Sequence, residues 1–330
     1  MWPAGTMKDL STIKKPIEQD IKAYQKVFRD TVRSKVPLLD IIMQYILKTK
    51  GKQIRPLIVL YSAKLVGSIN PSTYRAATIV ELMHTATLVH DDVVDDSNKR
   101  RGMFSVNALW RNKIAVLSGD YLLAKGLLLA VENQDYNLLE YVSKATRDMS
   151  EGELLQMEKA RKLDVSEDIY FEVIRKKTAS LLGSCFATGA YSTIKDREQI
   201  EKLWNVGEYT GIAFQIMDDL LDYEQTSITG KPTGTDLKEK KVTLPLIYLL
   251  EHSDKTEKQK IMHLIKKKNN DPETLKFIRD AVYKSGGMDY CRSRMDEYKN
   301  KAIDLLHEFP ENDARQALEQ IIEFTILRKN

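Results

Sequence analysis

The spacing of apolar residues constrains the fold of this chain more than any other feature. Apolar side chains recur every three or four positions from about residue 8 to residue 330, as at Ile42, Tyr45 and Ile46 or at Leu203 and Val206. Positions with that spacing lie on one face of an α-helix. Alternation with a period of two, which is typical of strands, is nowhere sustained. The pattern therefore predicts an all-α fold.

Composition favours long helices in a single soluble domain. The 330 residues include only 15 Gly and 9 Pro, which is too few for the frequent turns of a strand-rich protein. They are 42% hydrophobic and 30% charged, as suits a folded protein with a sizeable core. No Gly/Ser-rich or Pro-rich linker divides the predicted helices, so we expect one domain over residues 8–330. Residues 1–7, which end in a second Met, are expected to be a disordered or added segment.

Charge, cysteine content and hydropathy disfavour several classes of protein. The chain has 51 basic and 47 acidic residues, a balance that does not indicate nucleic-acid binding, and the lysines of residues 255–270 are expected to form a solvated helix face. Cys185 and Cys291 are far apart, so a cytoplasmic protein without disulfides is expected. The apolar run at residues 121–131 falls short of the ~20 residues that a membrane span needs, so no membrane anchor is expected.

One acidic motif occurs twice at long separation. Residues 91–95 read DDVVD and residues 218–222 read DDLLD, and each follows an apolar helical run. In a helix, D-D-x-x-D directs three carboxylates into one region. A helix C-terminus disfavours acidic side chains, so a purely solvated surface explains the pair poorly. Mg²⁺, which takes one or two protein carboxylates and completes its shell with water and phosphate oxygens, would neutralise them.

Basic residues supply the second half of the predicted site. They stand beside Gly, Pro or polar breaks, and they are Lys52, Arg55, Arg100, Arg101, Lys177, Lys231 and Lys241. The segment 224–241 is polar and lysine-rich between two apolar helices, so it is expected to be a lid or binding loop. Arginine and lysine together with Mg²⁺ are suited to binding diphosphates.

Taken together, these segments resemble the trans-isoprenyl diphosphate synthases, also called polyprenyl synthetases. The resemblance rests on "GKQIRP", "ELMHTATLVHDDVVDDSNKRRG", "GDYLLAKG", "KTASL", "FQIMDDLLDY" and "TGKPTGTDLKEKKVTLPLIY", in that order. It implies a helical bundle around a deep central cavity (the isoprenoid synthase fold) and a homodimer with one active site per subunit. It also implies a reaction in which an allylic diphosphate ionises, isopentenyl diphosphate attacks the cation, and a proton is lost.

The resemblance further implies a role for each matching residue. Mg²⁺ on the allylic diphosphate would be held by Asp91, Asp92 and Asp95, with Asp218 and, less directly, Asp219 and Asp222 completing a three-metal cluster. The same diphosphate would be gripped by Arg100, Lys177, Lys231 and Lys241. Isopentenyl diphosphate would be bound by Lys52, Arg55, His84 and Arg101. Thr178 and Gln215 would lie near the developing carbocation.

Product length is predicted from the helix that leads into the first motif. Thr87 and Met83 lie about one and two turns before Asp91, with Ala86 beside Thr87. Relatives that stop at fifteen or twenty carbons commonly carry a bulky aromatic residue at one of the two small positions, Ala86 and Thr87. We therefore expect a product longer than twenty carbons. Leu127 or Leu128 could form the tunnel floor, or either could be a plain core leucine.

Several alternatives remain open at this stage. They are a geranylgeranyl or farnesyl diphosphate synthase, a class I terpene cyclase, and a catalytically silent partner subunit. The intact second motif and "GKQIRP" argue against the last two. Asp96 lies outside the three-aspartate pattern and is expected to support the metal shell or a neighbouring cation rather than bind metal.

Overall fold

The structure, a computed structural model, describes residues 10–48, 51–162, 166–224, 235–238, 241–269 and 271–327. Nearly all of these residues are helical, so the predicted all-α class is confirmed. The helices up to residue 162 are α1 (Leu10–Lys14), α2 (Glu18–Val32), α3 (Pro37–Lys48), α4 (Ile54–Val66), α5 (Pro71–Val94), α6 (Val106–Glu132) and α7 (Tyr136–Lys162). The later ones are α8 (Glu167–Ile174), α9 (Ser180–Tyr191), α10 (Arg197–Tyr223), α11 (Thr235–Lys238), α12 (Leu244–His252), α13 (Lys255–Lys268), α14 (Pro272–Ser285), α15 (Gly287–His307) and α16 (Asp313–Leu327).

The chain forms two compact units. The first comprises the described residues up to Thr146, together with Ser184–Trp204 and Leu306–Ile321, and the second comprises the described residues of the remaining segments. Several helices therefore contribute residues to both units: α7, α9, α10, α15 and α16. The single domain over residues 8–330 stays a prediction, and the segment 1–7 lies outside the described residues.

Helix α5 is the core of the first unit. Asn70 caps its N-terminus, because the Asn70 side chain accepts a hydrogen bond from the Ser72 amide at 2.8 Å and Thr73 Oγ1 accepts one from the Asn70 amide at 3.2 Å. Pro71 follows at the first helical position, where its missing N–H costs nothing. The helix packs chiefly against α6 and α4, and its positions 76–80 are buried. A rigid, capped helix therefore delivers the first aspartate motif at its C-terminal end.

A β-hairpin lies in the break between α5 and α6. Strand β1 (Lys99–Arg100) pairs antiparallel with β2 (Met103–Phe104). The two turn residues, Arg101 (φ 52°) and Gly102 (φ 77°), are both left-handed, which is the signature of a type I′ hairpin turn. The period-two pattern is too short here to be recognised in the sequence, so the hairpin was not predicted.

Helix α6 is interrupted once and carries an exposed apolar face. Arg111 has φ 70° and ψ 163°, a conformation that is essentially restricted to glycine. The helix is long and apolar enough to span a membrane by length and composition, and a third of its most apolar window is buried. The absence of a membrane anchor stays a prediction.

A π-helical turn marks the second unit. Residues Arg175–Ala179 form this turn between α8 and α9, and α8 begins with Ser166 as its N-cap. Such wide turns insert an extra residue into a helix and are frequent at functional sites. Cys185 of the first unit and Cys291 of the second are both buried thiols.

Candidate active site

The first aspartate motif occupies the last turns of α5. Asp92 is only 3% exposed, whereas Asp91 is half-buried and Asp95 is exposed. Arg100 Nε donates a 2.8 Å hydrogen bond to Asp92 Oδ1. Burial raises the pKa of Asp92, and the bond to Arg100 opposes that rise. One buried carboxylate is thus held by a cation of the hairpin, and its two neighbours face solvent to different extents.

Asp96 ends α5. Its φ of 49° is left-handed, a conformation that Asp tolerates better than most residues. After this reversal the Ser97 amide and Asn107 Nδ2 both donate to the Asp92 carbonyl, at 2.9 and 3.1 Å. The structure therefore gives Asp96 a backbone role in ending the helix beside the motif. Its support of a metal or cation stays a prediction.

His84 and the arginines form a basic region in the first unit. A cavity of about 60 Å³ is lined by His84, Asp92, Arg100 and Arg101, among others. His84 is 7% exposed, and burial and the charges of Arg55, Arg101 and Arg100 lower its pKa well below 6.5. The imidazole is therefore neutral. Within the described part of the chain, neither His84 Nδ1 nor Arg55 Nε has a hydrogen-bond partner, although both are buried.

Arg101 packs directly on the segment that precedes α4. A Cβ built on Gly51 would lie 2.6 Å from Arg101 Cζ, so a larger residue there would require the guanidinium to shift. The next residues are Lys52, which is exposed, and Gln53, which is left-handed with φ 56°. We call Lys52, Arg55, His84, Asp91, Asp92, Asp95, Arg100 and Arg101 the first cluster.

The π-helical turn presents Lys177 and Thr178 in the second unit. Lys177 Nζ lies 2.5 Å from Glu153 Oε2 and donates to Gln156 Oε1 at 2.8 Å. Thr178 Oγ1 donates to Gln215 Oε1 at 3.1 Å. The turn therefore directs a lysine and a hydroxyl toward the same region as the end of α10.

The second aspartate motif differs in burial from the first. Asp219 is 3% exposed and accepts hydrogen bonds from Tyr170 Oη at 2.8 Å and from Gln215 Nε2 at 3.2 Å. Burial raises the pKa of Asp219 to about 8, the charge of Asp236 adds to the rise, and the bonds from Tyr170 and Gln215 oppose it. Asp222 Oδ2 accepts from the Asp236 amide at 3.2 Å. Protein donors thus already bind the carboxylates of Asp219 and Asp222.

One cavity collects most of the predicted residues of the second unit. It measures about 240 Å³. Its lining includes Lys177, Thr178, Gln215, Asp218, Asp219 and Lys241. Lys241 Nζ lies 3.8 Å from Asp236 Oδ1. We call these six residues and Asp222 the second cluster. Lys231 lies outside the described residues.

Two residues beside the second cluster were missed by the sequence analysis. Tyr170 stands seven residues before Lys177, about two helical turns away, and that spacing was the available signal. Asp236 is separated from the second motif by a polar segment, and nothing in the residue pattern connects the two.

The predicted chain-length residues lie on the packed side of α5. Ala86 is fully buried, Met83 is 6% exposed, and a Cβ on Gly126 would lie 3.6 Å from Met83 Sδ, so Met83 packs against α6. None of Met83, Ala86 and Thr87 lines the two cavities described above. Leu127 and Leu128 are 43% and 52% exposed in the single chain, so the interpretation of either as a core leucine was wrong. Both occur on the outward face of α6.

Oxygen ligands dominate both clusters. Among the described residues, no group of three Asp, Glu, His or Cys side chains converges closely enough to hold a metal ion by itself. Mg²⁺ commonly takes only one or two protein carboxylates and completes its octahedron with water and phosphate oxygens. The donor set therefore fits a hard divalent cation that binds together with a diphosphate.

Comparison with known proteins gives a consistent result over nearly the whole chain. A family model described as "Polyprenyl synthetase" matches residues 36–282. The chain is 36% identical to the all-trans-nonaprenyl-diphosphate synthase (geranyl-diphosphate specific) of Rhodobacter capsulatus, covering 95% of this chain and 96% of that protein. It is 33% identical to the octaprenyl diphosphate synthase of Escherichia coli (strain K12), covering 97% and 99% of the two chains.

Solved structures of polyprenyl and geranylgeranyl diphosphate synthases are also similar to this chain over nearly its whole length. The decaprenyl diphosphate synthase of Rhodobacter capsulatus has a TM-score of 0.91 at 33% identity, covering 98% of this chain and 100% of the other. A polyprenyl synthase of Caulobacter crescentus CB15, complexed with calcium and isoprenyl diphosphate, has a TM-score of 0.88 at 33% identity and covers 99% and 100%. A geranylgeranyl pyrophosphate synthase of Bacteroides thetaiotaomicron has a TM-score of 0.81 at 37% identity and covers 97% and 99%.

Proposed function

Because this chain belongs to the polyprenyl synthetase family, we propose that it condenses isopentenyl diphosphate with an allylic diphosphate, head to tail, and releases pyrophosphate. It is a trans-prenyltransferase, and its product is longer than twenty carbons. The support for this length is the identity, over nearly the full chain, to enzymes named for octaprenyl and nonaprenyl products. The small residues Ala86 and Thr87 agree with that length.

The second-unit cavity is the observation that carries the proposal. The lining of this 240 Å³ space includes the Thr178 hydroxyl, the Gln215 amide, three carboxylates and three lysines. Carboxylates that bind a divalent cation and lysines that bind phosphate oxygens are what the departure of a diphosphate requires, because negative charge grows there in the transition state. The hydroxyl and the amide provide oxygen dipoles for a developing carbocation.

The enzyme uses a divalent metal. We assign Mg²⁺ to Asp91, Asp92 and Asp95 in the first cluster and to Asp218 in the second, with Asp219 and Asp222 acting less directly, and we place three ions in the loaded site. When bound, the metal neutralises the diphosphate oxygens as the allylic C–O bond breaks. Asp92 and Asp219 are buried, whereas Asp91 and Asp218 are more exposed, so we expect Asp91 and Asp218 to be the principal ligands.

The residues divide the chemistry between the two substrates. The allylic C–O bond breaks, and its electron pair leaves with pyrophosphate, which is held by Arg100, Lys177, Lys231 and Lys241. The double bond of isopentenyl diphosphate then supplies the electrons for the new C–C bond. A proton is lost from the adjacent carbon to the departing pyrophosphate, which restores a trans double bond. Thr178 and Gln215 face the cation.

Isopentenyl diphosphate is assigned to the first cluster. Its phosphate oxygens would accept from Lys52, Arg55, His84 and Arg101. Two buried polar atoms of this group, His84 Nδ1 and Arg55 Nε, have no hydrogen-bond partner among the described residues, and buried polar atoms normally have one. A neutral imidazole can donate one hydrogen bond to a phosphate without adding a charge that the arginines would repel.

We also propose that the enzyme is a homodimer that buries the outward face of α6. Five apolar residues on this face are 40% to 58% exposed, namely Val116, Leu117, Leu127, Leu128 and Val131. Their spacing places them on one stripe of the helix, and soluble proteins rarely leave such a stripe in water. A double variant, Leu117→Glu with Leu128→Lys, should be monomeric by light scattering, whereas Phe277→Glu on α14 should not change the mass. A dimeric double variant would contradict this interface. A cytoplasmic location stays a prediction.

Product analysis tests the proposed function. The purified protein would be incubated with Mg²⁺, farnesyl diphosphate and isopentenyl diphosphate, and the products would be identified by mass. Incorporation of several isopentenyl units, with one pyrophosphate per unit, is expected. Products of twenty carbons would indicate a geranylgeranyl diphosphate synthase. Release of pyrophosphate without consumption of isopentenyl diphosphate would indicate a cyclase, and the absence of any turnover would indicate a silent subunit.

A further inference from the structure

A continuous chain of hydrogen bonds crosses the floor of the second cluster. Tyr170 Oη donates to Asp219 Oδ2 at 2.8 Å, Gln215 Nε2 donates to Asp219 Oδ1 at 3.2 Å, and Thr178 Oγ1 donates to Gln215 Oε1 at 3.1 Å. Its four members come from α8, α10 and the π-helical turn. Each junction has a donor opposite an acceptor, and both arms of the chain end at the Asp219 carboxylate. We call it the hydrogen-bond chain.

Tyr170 is the buried end of this chain. It is 5% exposed, and its ring packs edge-on against Phe171, with the centroids 5.4 Å apart. Burial and the charge of Asp219 raise the pKa of the Tyr170 hydroxyl well above 10, so it remains a donor at neutral pH. Its hydroxyl therefore holds one carboxylate oxygen of Asp219 from a fixed position.

The orientation of Gln215 depends on Asp219. A side-chain amide can present its NH₂ or its carbonyl, and the two orientations differ little in shape. Here the carboxylate accepts from the NH₂, so the carbonyl points to Thr178 and accepts from its hydroxyl. The lone pairs of Thr178 Oγ1 are then left for the cavity that Thr178 lines. Fixed dipoles of this kind stabilise a developing charge without reorganisation.

Without the Tyr170 hydroxyl, Asp219 would be held loosely. The remaining donor to Asp219 Oδ2 in the described residues is the Leu244 amide at 3.4 Å, a long bond. The carboxylate could then rotate, and Gln215 would lose the contact that selects its orientation. Both Asp219 oxygens are already bonded to protein donors. This supports a role for Asp219 in holding its neighbours.

We propose that Tyr170 is a positioning residue for the prenyl transfer step, acting through Asp219 and Gln215 to orient Thr178. The inference rests on the proposed function, since it requires Thr178 and Gln215 to face the allylic cation. Tyr170 lines the second-unit cavity, but its hydroxyl donates to Asp219, and isopentenyl diphosphate is assigned to the first cluster. Loss of the hydroxyl should therefore lower kcat and leave the binding of isopentenyl diphosphate unchanged.

Steady-state kinetics of Tyr170→Phe provide the first test. We expect kcat to fall about tenfold, with the KM for isopentenyl diphosphate within about twofold of the parent. Tyr290→Phe is the matched control, because Tyr290 Oη also donates to a carboxylate of the second unit, Glu167, at 2.6 Å, outside the cavity. The control should keep kcat within about twofold. An unchanged kcat in Tyr170→Phe, or an equal loss in both variants, would overturn the proposal.

A double-mutant cycle provides the second test. If Tyr170 acts through Thr178, the double variant Tyr170→Phe/Thr178→Val should have a kcat within about twofold of that of Thr178→Val alone. The reason is that Thr178→Val has already removed the hydroxyl that Tyr170 orients. If the fold-loss of kcat in the double variant equals the product of the fold-losses in the two single variants, the proposal is overturned. Should Tyr170→Phe fail to fold, Asp219→Asn replaces it in the same cycle, since an amide cannot accept on both of its atoms. If the parent enzyme catalyses no prenyl transfer, the proposed function is contradicted. If the parent enzyme is active but the effects of the two substitutions on kcat are independent, only the proposed role of Tyr170 is contradicted.

Discussion

Arg100 Nε lies 2.8 Å from Asp92 Oδ1, which joins the hairpin after α5 to the end of that helix. The carboxylate is nearly buried, whereas the guanidinium is 36% exposed. The strand pair places Arg100 beside the motif, and the Arg101–Gly102 turn reverses the chain immediately afterwards. The bond therefore depends on a local element of only six residues, 99–104.

Replacement of Arg100 should destabilise the fold as well as impair catalysis. In Arg100→Ala, Asp92 would be left buried without its charged donor, which should lower the free energy of unfolding by about 1–3 kcal/mol. Denaturant unfolding of the variant measures this. Lys99→Ala, at the neighbouring exposed position, serves as the control and should change stability by no more than about 0.5 kcal/mol. Equal stabilities would show that the bond contributes nothing measurable.

The two principal metal ligands should be needed for turnover and not for folding. Asp91→Ala or Asp218→Ala should reduce kcat by about 100-fold or more, because each removes a ligand beside the departing pyrophosphate. The melting temperature should stay the same or rise, since charge crowding is relieved. Asp304→Ala, an exposed position on α15, is the control for loss of a negative charge. Near-normal turnover in either motif variant would defeat the assignment.

His84 should make stability depend on pH below neutrality. Its pKa in the fold lies well below 6.5, so as pH falls past 6.5 the unfolded chain takes up a proton that the folded chain does not. Stability is therefore fully present above pH 6.5 and decreases as pH falls, by up to about 1.4 kcal/mol per pH unit from this group. Unfolding curves between pH 5 and 8 for the parent and for His84→Gln would measure the difference. Parallel pH profiles would contradict the buried neutral imidazole.

Arg111 should be replaceable by glycine with a gain in stability. Its φ of 70° and ψ of 163° cost a residue with a Cβ about 1–3 kcal/mol. Glycine removes that strain at an entropic cost of about 0.5–1 kcal/mol, so Arg111→Gly should be more stable by about 1 kcal/mol. Lys113→Gly, two residues later in regular helix, should instead be less stable by about 1 kcal/mol. A loss of stability in both variants would argue against strain at Arg111.

Ala86 should limit product length when enlarged. Ala86→Phe places an aromatic ring about a turn and a half before Asp91, so we expect products with fewer carbons. Because Ala86 is fully buried, the melting temperature must be measured alongside the products. Leu38→Phe, at an exposed position on α3 that has no assigned role, should leave the product distribution unchanged. An unaltered distribution in a folded Ala86→Phe enzyme would count against a tunnel along this face of α5.

Local geometry explains what could be predicted from the sequence. The 3.6-residue period is a property of the backbone, so the spacing of residues such as Ile42, Tyr45 and Ile46 was sufficient for the all-α class. The two aspartate motifs are contiguous in sequence and lie at helix ends, so their chemistry could be inferred without knowing their neighbours. The hairpin at 99–104 was missed, because two residues per strand carry no readable period.

Long-range packing decided the rest. Tyr170 and Asp219 are 49 positions apart, and only the packing of α8 beside α10 brings the hydroxyl to the carboxylate. Burial, which depends on every surrounding side chain, lowers the pKa of His84 and raises the pKa of Asp219. Leu127 and Leu128 are exposed for the same reason, because burial depends on the surrounding side chains. The apolar pattern alone had also allowed a core position for both. The sequence by itself determined the helices and the ligand chemistry, and the tertiary structure determined which of those groups are held, desolvated or exposed, because hydrogen-bond partners and solvent exclusion are not local properties of a chain.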